Sequence, residues 1–200
     1  MSETRIPTQK RSIEKRNRII DKGFELMCEN GYYKTNTTEI AKYAEVSTGI
    51  IYQYFNDKKE IFIEGVKNYS IKIMYPMLNI LEIESINKDN LKNIINKMID
   101  EFINNHTMSK KAHEELIAMS HLDNDVANVF KNNEITINKK IVNFLKLNNI
   151  NINNINEKVH IIIGLIDNLC HEIVYHKHKD FNYNIMKEEV IKIIIDIINQ

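Results

Sequence analysis

The chain has 200 residues, 43% hydrophobic and 27% charged, a size that fits a small domain joined to a larger one and a balance ordinary for a water-soluble fold. With 5 Gly and 2 Pro there is little punctuation for strands and turns, so long helices with short connections are expected. The formal net charge of +0 excludes a uniformly basic coat, but residues 1–18 carry six cations against Glu3 and Glu14, a balance of +4, whereas 61–200 carry 16 against 18.

Residues 1–9 are polar and read as a flexible basic arm, with no apolar run of the kind a signal peptide needs. The longest apolar stretch, 161–166, has six residues, far short of the roughly 18 that span a bilayer. A cytoplasmic protein without a membrane partner is expected. Cys28 and Cys170 lie far apart inside helical patterns and read as buried free thiols of a reducing compartment.

A first helix is expected from Lys10 to Asn30, where Ile13, Ile20, Phe24 and Met27 recur at helical spacing and Asn30-Gly31 supplies a stop. Asn36 stands three residues before Glu39, the spacing of a capping box, and the helix it opens continues through Ile40, Ala41 and Ala44. Ser47 is placed to cap the next helix, which sets Ile51 and Phe55 on one face. The connection Glu45-Val46-Ser47 is short, so the two helices must meet steeply. Asp57 and Glu60 repeat the capping-box spacing at the start of a long helix over 58–83, with Pro76 as an available bend point. Short helix, tight turn, short helix is the order of a helix-turn-helix, whose second helix offers its N-terminal residues to a DNA groove. A plain helical hairpin inside a larger bundle is the alternative.

Further helices are expected at 88–105, 109–121, 123–147, 156–178 and 184–199, with an Asn-rich connection at 148–156. Leu91, Ile94, Ile95, Met98, Ile99 and Phe102 show the spacing by threes and fours. The last two helices are so rich in Ile, Val and Leu that both the core and a second subunit are needed to cover them, which predicts a homodimer through about 156–199. The fold class is therefore all-α. A three-helix helix-turn-helix domain over 10–57 joins a larger C-terminal helical bundle over 58–200, expected to dimerise, with about nine helices in total.

Residues 31–61, GYYKTNTTEIAKYAEVSTGIIYQYFNDKKEI, resemble the DNA-binding signature of the TetR family, and the preceding RIIDKGFELMCEN resembles that family's first helix. The ordered set Gly31, Thr35, Ile40, Ala41, Ala44, Val46-Ser47, Gly49, Tyr52, Tyr54-Phe55 and Lys58 carries the likeness. Read physically, Ile40, Ala44, Val46, Ile51 and Phe55 form the small core of the helix pair. Thr48 and Gly49 occupy the first turn of the recognition helix, where free N–H groups and the positive dipole end suit a phosphate. Tyr52 lies a turn further on, Tyr54 offers a second hydroxyl, and Lys58 puts a charge at the next helix start. The resemblance implies DNA contacts from Thr38, Thr48, Gly49, Tyr52, Tyr54 and Lys58, to which the basic first helix adds Arg11 and Arg16. Two positions depart from the family pattern. Glu45 stands where a glycine is usual, at a turn position favouring positive φ, and Ile50 replaces a small hydroxyl residue.

The resemblance further implies a ligand-responsive regulator, a repressor that a small apolar effector, bound in the C-terminal domain over 58–200, releases from operator DNA. Large or adaptable residues on the relevant helices, Tyr69, Met74, Met77, Met98, Phe102, Met119, Phe130 and Asn168, are the expected effector contacts, against the plainer reading that each is core packing. A DNA-binding dimer without an effector, and a protein–protein adaptor that has lost DNA binding, are the competing readings. No phosphate-binding glycine loop or nucleophile elbow occurs, so neither an enzyme nor a cofactor is expected. His171 and His176 are five apart, not the four that put two ligands on one helix face, so no metal site is expected.

Overall fold

The computed structural model describes residues 7–83 and 89–199, and its regular structure there is helical throughout. In chain order the elements are α1 (Lys10–Asn30), α2 (Thr37–Tyr43), α3 (Thr48–Tyr54), α4 (Lys58–Ile83), α5 (Leu91–Asn105), α6 (Lys110–Leu122), α7 (Asn124–Leu147), α8 (Ile155–Tyr175) and α9 (Tyr183–Asn199). Of the expected arm only residues 7–9 are described. Residue 88, the expected start of the fifth helix, lies outside the described residues, and α5 begins at Leu91. The eighth helix ends at Tyr175, three residues before the expected 178, because His176-Lys177-His178 has no apolar face to bury. No helix among the described residues is long and apolar enough to cross a membrane.

The described residues fall into two compact units, one drawn from 1–70 and 108–131, the other from 71–107 and 132–200. In the N-terminal unit the core is built by Ile19, Ile20 and Met27 of α1, Ile40 of α2, Ile51 of α3, and Ile61 and Phe62 of α4, all essentially without exposed surface. Each such side chain contributes roughly 1.5–3 kcal/mol of burial, which is what holds two seven-residue helices that would not persist alone. Close approach of α1 and α4 depends on Gly65, where a Cβ would fall 2.4 Å from the Phe24 side chain. Residues 108–131 add Ala112, Leu116 and Met119 of α6 with Val126 and Val129 of α7 to the same cluster.

In the second unit α5, α8 and α9 pack on one another. Ile94, Ile99, Leu169, Ile191 and Ile194 are buried there, with Ile73, Met77 and Leu78 contributed by the C-terminal half of α4. A smaller cluster joins Val142 and Leu145 of α7 to Val159 of α8. Cys28 and Cys170 are both free and buried, one in each unit. Burial pushes the Cys170 thiol up to about 12 and the Cys28 thiol further still, so neither is a thiolate at neutral pH.

The turn between α2 and α3 closes as a Schellman motif. The Val46 N–H donates to Ala41 O at 2.9 Å, the Glu45 N–H donates to Lys42 O at 3.2 Å, and Glu45 adopts φ 55°. That is the left-handed region, where a residue with a Cβ carries a cost of about 1–2 kcal/mol that glycine avoids. Glu45→Gly is therefore expected to raise stability by up to about 1 kcal/mol once glycine's greater chain entropy is subtracted. Urea denaturation monitored by circular dichroism checks this, and an unchanged or lower midpoint would show that the turn is not strained.

Candidate nucleic-acid interface

The helix-turn-helix is built as the capping pattern requires. The Asn36 side chain accepts from the backbone N–H groups of Thr38 and Glu39, each at 3.0 Å, and the Glu39 carboxylate accepts from the Asn36 N–H at 2.9 Å. At α4, Asp57 accepts from the Glu60 N–H at 3.0 Å, and the Glu60 carboxylate reaches Asn56, one residue earlier than the expected box. Ser47 occupies the cap position of α3 by its extended backbone, but its hydroxyl makes no cap bond to the helix, contrary to the capping role expected of it.

The seven residues of α3 divide by helical spacing into two faces. Ile51 and Tyr54, with Phe55 just beyond, point into the core. Gly49, Tyr52 and Gln53 are exposed on the other side, Tyr52 to 52%, with Thr48 half-buried beside them. A Cβ at Gly49 would meet only the Ser47 Oγ, at 4.0 Å, so internal packing does not require this glycine. The Tyr52 hydroxyl lies 3.0 Å from Thr37 Oγ1 of α2, which fixes where the exposed ring tip sits. Exposed Thr38 and Lys42 lie on α2, and Arg11 on α1.

Three of the expected contacts are placed differently. Tyr54 is buried, because it lies three residues after Ile51 on the same face; a hydroxyl there belongs to the core. Lys58 turns inward. Its Nζ donates to Tyr32 O at 2.6 Å and Thr35 O at 2.7 Å and stands 4.5 Å from the Tyr32 ring centroid, and burial pushes its pKa below the ordinary lysine value. Arg16 lies 3.5 Å from the Glu64 carboxylate and over the Phe55 ring, so its charge is taken up within the unit. Gln53 was not among the expected contacts, although its spacing of four from Gly49 is the signal that finds it. Thr37 carries no such signal, because its pairing with Tyr52 crosses from one helix to another.

The scaffold behind this face is tied by polar contacts as well as by its core. Tyr43 donates to Glu25 at 2.7 Å and Lys22 pairs with the same carboxylate at 2.9 Å; the Tyr43 hydroxyl, then Lys22, hold Glu25 below the usual carboxylate range. The Tyr32 N–H donates to Glu115 of α6 at 2.7 Å, and Ser109 donates to Glu29 at 2.7 Å. Lys59 sits 2.8 Å from Asp123 and 2.6 Å from Asp125, bracing the start of α4 against the α6–α7 junction.

Of the expected effector contacts, Met74, Met77, Met98 and Phe102 line one cavity of about 80 Å³ inside the second unit. The other four do not. Met119, Tyr69 and Phe130 belong to the core of the N-terminal unit or pack against it, and Asn168 is exposed on α8. The bland reading of core packing holds for those three, because α6 and the flanking parts of α4 and α7 fold with the N-terminal helices. Among the described residues no group of three or more His, Cys, Asp or Glu is placed to hold a metal ion.

The model of the bacterial regulatory proteins, tetR family, matches residues 19–64, the segment that carries the interface. Over 55 residues the chain is 49% identical to the HTH-type transcriptional regulator HbdR of Aromatoleum sp. (strain CIB), covering 28% of this chain and 24% of that protein. Over 91 residues it is 31% identical to the fatty acid metabolism regulator protein of Bacillus subtilis (strain 168), covering 46% of this chain and 47% of that one. The matches thus span about a quarter and about a half of these relatives' lengths. A solved structure from Mesorhizobium loti, described as a TetR-family transcriptional regulator, superimposes with a TM-score of 0.74 over 95% of this chain and 97% of that one; at 16% identity the likeness is one of fold.

If Lys58 serves the fold, Lys58→Met should cost about 1–3 kcal/mol of stability by stranding the two carbonyls it satisfies. Chemical denaturation measures this directly. A variant as stable as the parent but weaker on DNA would return Lys58 to the phosphate contacts.

Proposed function

We propose, from the match of residues 19–64 to the model of the bacterial regulatory proteins, tetR family, that this chain is a TetR-family, sequence-specific DNA-binding transcriptional regulator, a homodimeric repressor that a small, mostly apolar effector releases from its operator. The observation that carries the DNA-binding reading is the exposed face of α3. Gly49, Tyr52 and Gln53 are exposed together there, and the bare backbone at Gly49, which internal packing does not require, allows a phosphate close to the first turn. Tyr52, braced by Thr37, then reaches the sugar-phosphate backbone or a base edge, while Thr38, Lys42 and Arg11 supply flanking contacts. Lys58, Tyr54 and Arg16 act one step behind, shaping and holding that face.

A dimer is supported by the surface of α8 and α9. Ile161 is 53% exposed on α8 and Ile185 and Ile193 are 61% and 45% exposed on α9, a density of apolar surface that a second copy would cover. Gly164, one turn after Ile161, is exposed in mid-helix, and a Cβ there would meet nothing within 4 Å. A glycine in that place costs about 0.5–1 kcal/mol relative to Ala with no return inside the chain. Close approach of a partner helix supplies one. Two-fold symmetry would present two copies of α3 to successive major grooves, so any ligand that alters their spacing weakens both contacts together.

The cavity of the second unit is the place for the effector. Its walls come from α4, α5, α7, α8 and α9 and are apolar except at Asp167. About 80 Å³ is well below the roughly 300–1,000 Å³ of a ligand-bearing pocket, so the ligand must open it. Met74, Met77 and Met98 are suited to that, since thioether chains change rotamer readily. An adaptor without DNA binding would lack the steep fall of affinity with salt that phosphate contacts impose.

Tyr52→Ala should weaken binding to the DNA upstream of its own gene by about 1–3 kcal/mol in fluorescence anisotropy, with thermal unfolding and oligomeric state unchanged. Equal affinity would remove Tyr52 from the contact set. Gly164→Phe, whose Cβ meets nothing within 4 Å in the single chain, should convert the dimer to monomer in sedimentation while leaving the helical signal intact. A dimer that survives this change would have its interface elsewhere.

A further inference from the structure

Among the described residues, the one ionisable side chain in the wall of the cavity is Asp167, and it stands at the wet end, lining the cavity while its side chain remains 52% exposed. Its partner is the His171 imidazole one turn along α8, with Nδ1 3.2 Å from the carboxylate. Charged groups on the neighbouring helices α5 and α9 pair with each other. Lys187 of α9 lies 2.5 Å from Asp100 of α5, and Asn96 donates to the same Asp100 at 3.2 Å. His106 at the end of α5 has its ring 5.2 Å from that of His171, but its Nδ1 is 2.6 Å from the Phe102 carbonyl and must donate to it, and burial lowers its pKa, which keeps it neutral. What remains among the described residues is a carboxylate at the mouth of an apolar hole, paired with a histidine.

We propose that the effector is a cationic amphiphile: an ammonium head group seated on Asp167 in place of His171, with an apolar chain running inward among Met74, Met77, Met98 and Phe102. This rests on the reading of the cavity as the effector site. The physical case is a comparison of three head groups on one chain. A carboxylate or sulfate would meet Asp167 and Asp100 with Lys187 and His171 as the nearby cations, and both are already engaged with those carboxylates. A neutral head gains a hydrogen bond at most. An ammonium gains a charge partner in a partly desolvated setting, where an ion pair is worth more than in bulk water. His171 competes for the same carboxylate, so it sets the threshold the ligand must exceed; its pKa is raised by Asp167 despite its burial, and the competition relaxes as pH rises and the imidazole loses its charge.

The test is isothermal titration calorimetry of the full chain with decyltrimethylammonium, decanol and decanoate, each below its micelle concentration, repeated on Asp167→Asn and His171→Gln. The cation should bind about ten-fold or more tighter than decanoate. Asp167→Asn should level the ranking, and His171→Gln should tighten the cation several-fold, an arm that stands even where Asp167→Asn fails to fold. Decanoate equal to or tighter than the cation, a cation preference that survives Asp167→Asn, or indifference to His171→Gln would overturn the head-group assignment while leaving the cavity an effector site. Failure of all three compounds to bind would overturn both.

Discussion

A seven-residue helix is too short to hold its own shape in water, so everything α3 can do depends on the apolar cluster that grips its inner face. Ile51 and Phe55 enter a core whose other walls are Ile19, Ile20 and Met27 of α1, Ile40 of α2 and Ile61 and Phe62 of α4. The grip is tight because of glycine. Phe24 fits over α4 only where residue 65 has no side chain, and Gly23 gives Ile61 and Ile40 the same room. With the inner face committed, the outer face is free to be polar and bare, and Thr37 fixes the Tyr52 side chain on it. Stability on one side of the helix is thus what makes a defined surface possible on the other.

That division explains what could be read from the sequence and what could not. Local signals were legible: the Asn36–Glu39 box, the stop at Gly31, the tight turn and the positive φ at Glu45 all follow from neighbours in the chain. Tyr54 and Lys58 were legible in kind and misread in direction. A motif position says that a residue matters, but only its phase relative to Ile51 says that Tyr54 faces inward. For Lys58 the decisive partners, Tyr32 O and Thr35 O, are more than twenty residues away. The joining of 108–131 to the N-terminal helices was not legible either. The apolar spacing of α6 shows that it has a buried face, not whether that face meets α1 or α8, and the ties that decide it, Glu115 to Tyr32 and Lys59 to Asp123, are pairings at long separation.

The cavity shows the same limit from another side. Four of the eight expected lining residues are there, and they are the ones whose helices fold together in the second unit. The missed wall residue, Asp167, is a charged side chain, and a search for adaptable apolar residues passes over it. Yet a charge at the rim of an apolar hole carries more information about a ligand than any of the aliphatic groups inside, because aliphatic walls accept many chains while a carboxylate separates cations from anions.

Two turns in this chain share one geometry, and their contrast separates a cost of folding from a cost kept for binding. The end of α7 closes as α2 does: the Ile150 N–H donates to Leu145 O at 3.0 Å, the Asn149 N–H donates to Lys146 O at 3.1 Å, and Asn149 has φ 58°. Asn tolerates that conformation because its short polar side chain can bond locally. Glu45 in the equivalent place has no such relief, so the helix-turn-helix is held in shape by its core against a local penalty. Gly164 is the opposite case: the backbone there is ordinary helix, the site is open, and any residue but proline would be better for the isolated chain. Gly49 resembles it, with open space where a Cβ would stand. Strain at Glu45 is explained once the turn is drawn. The empty places at Gly49 and Gly164 find no partner inside the chain, and on the proposed reading DNA would come close at the first and a second copy of the chain at the other.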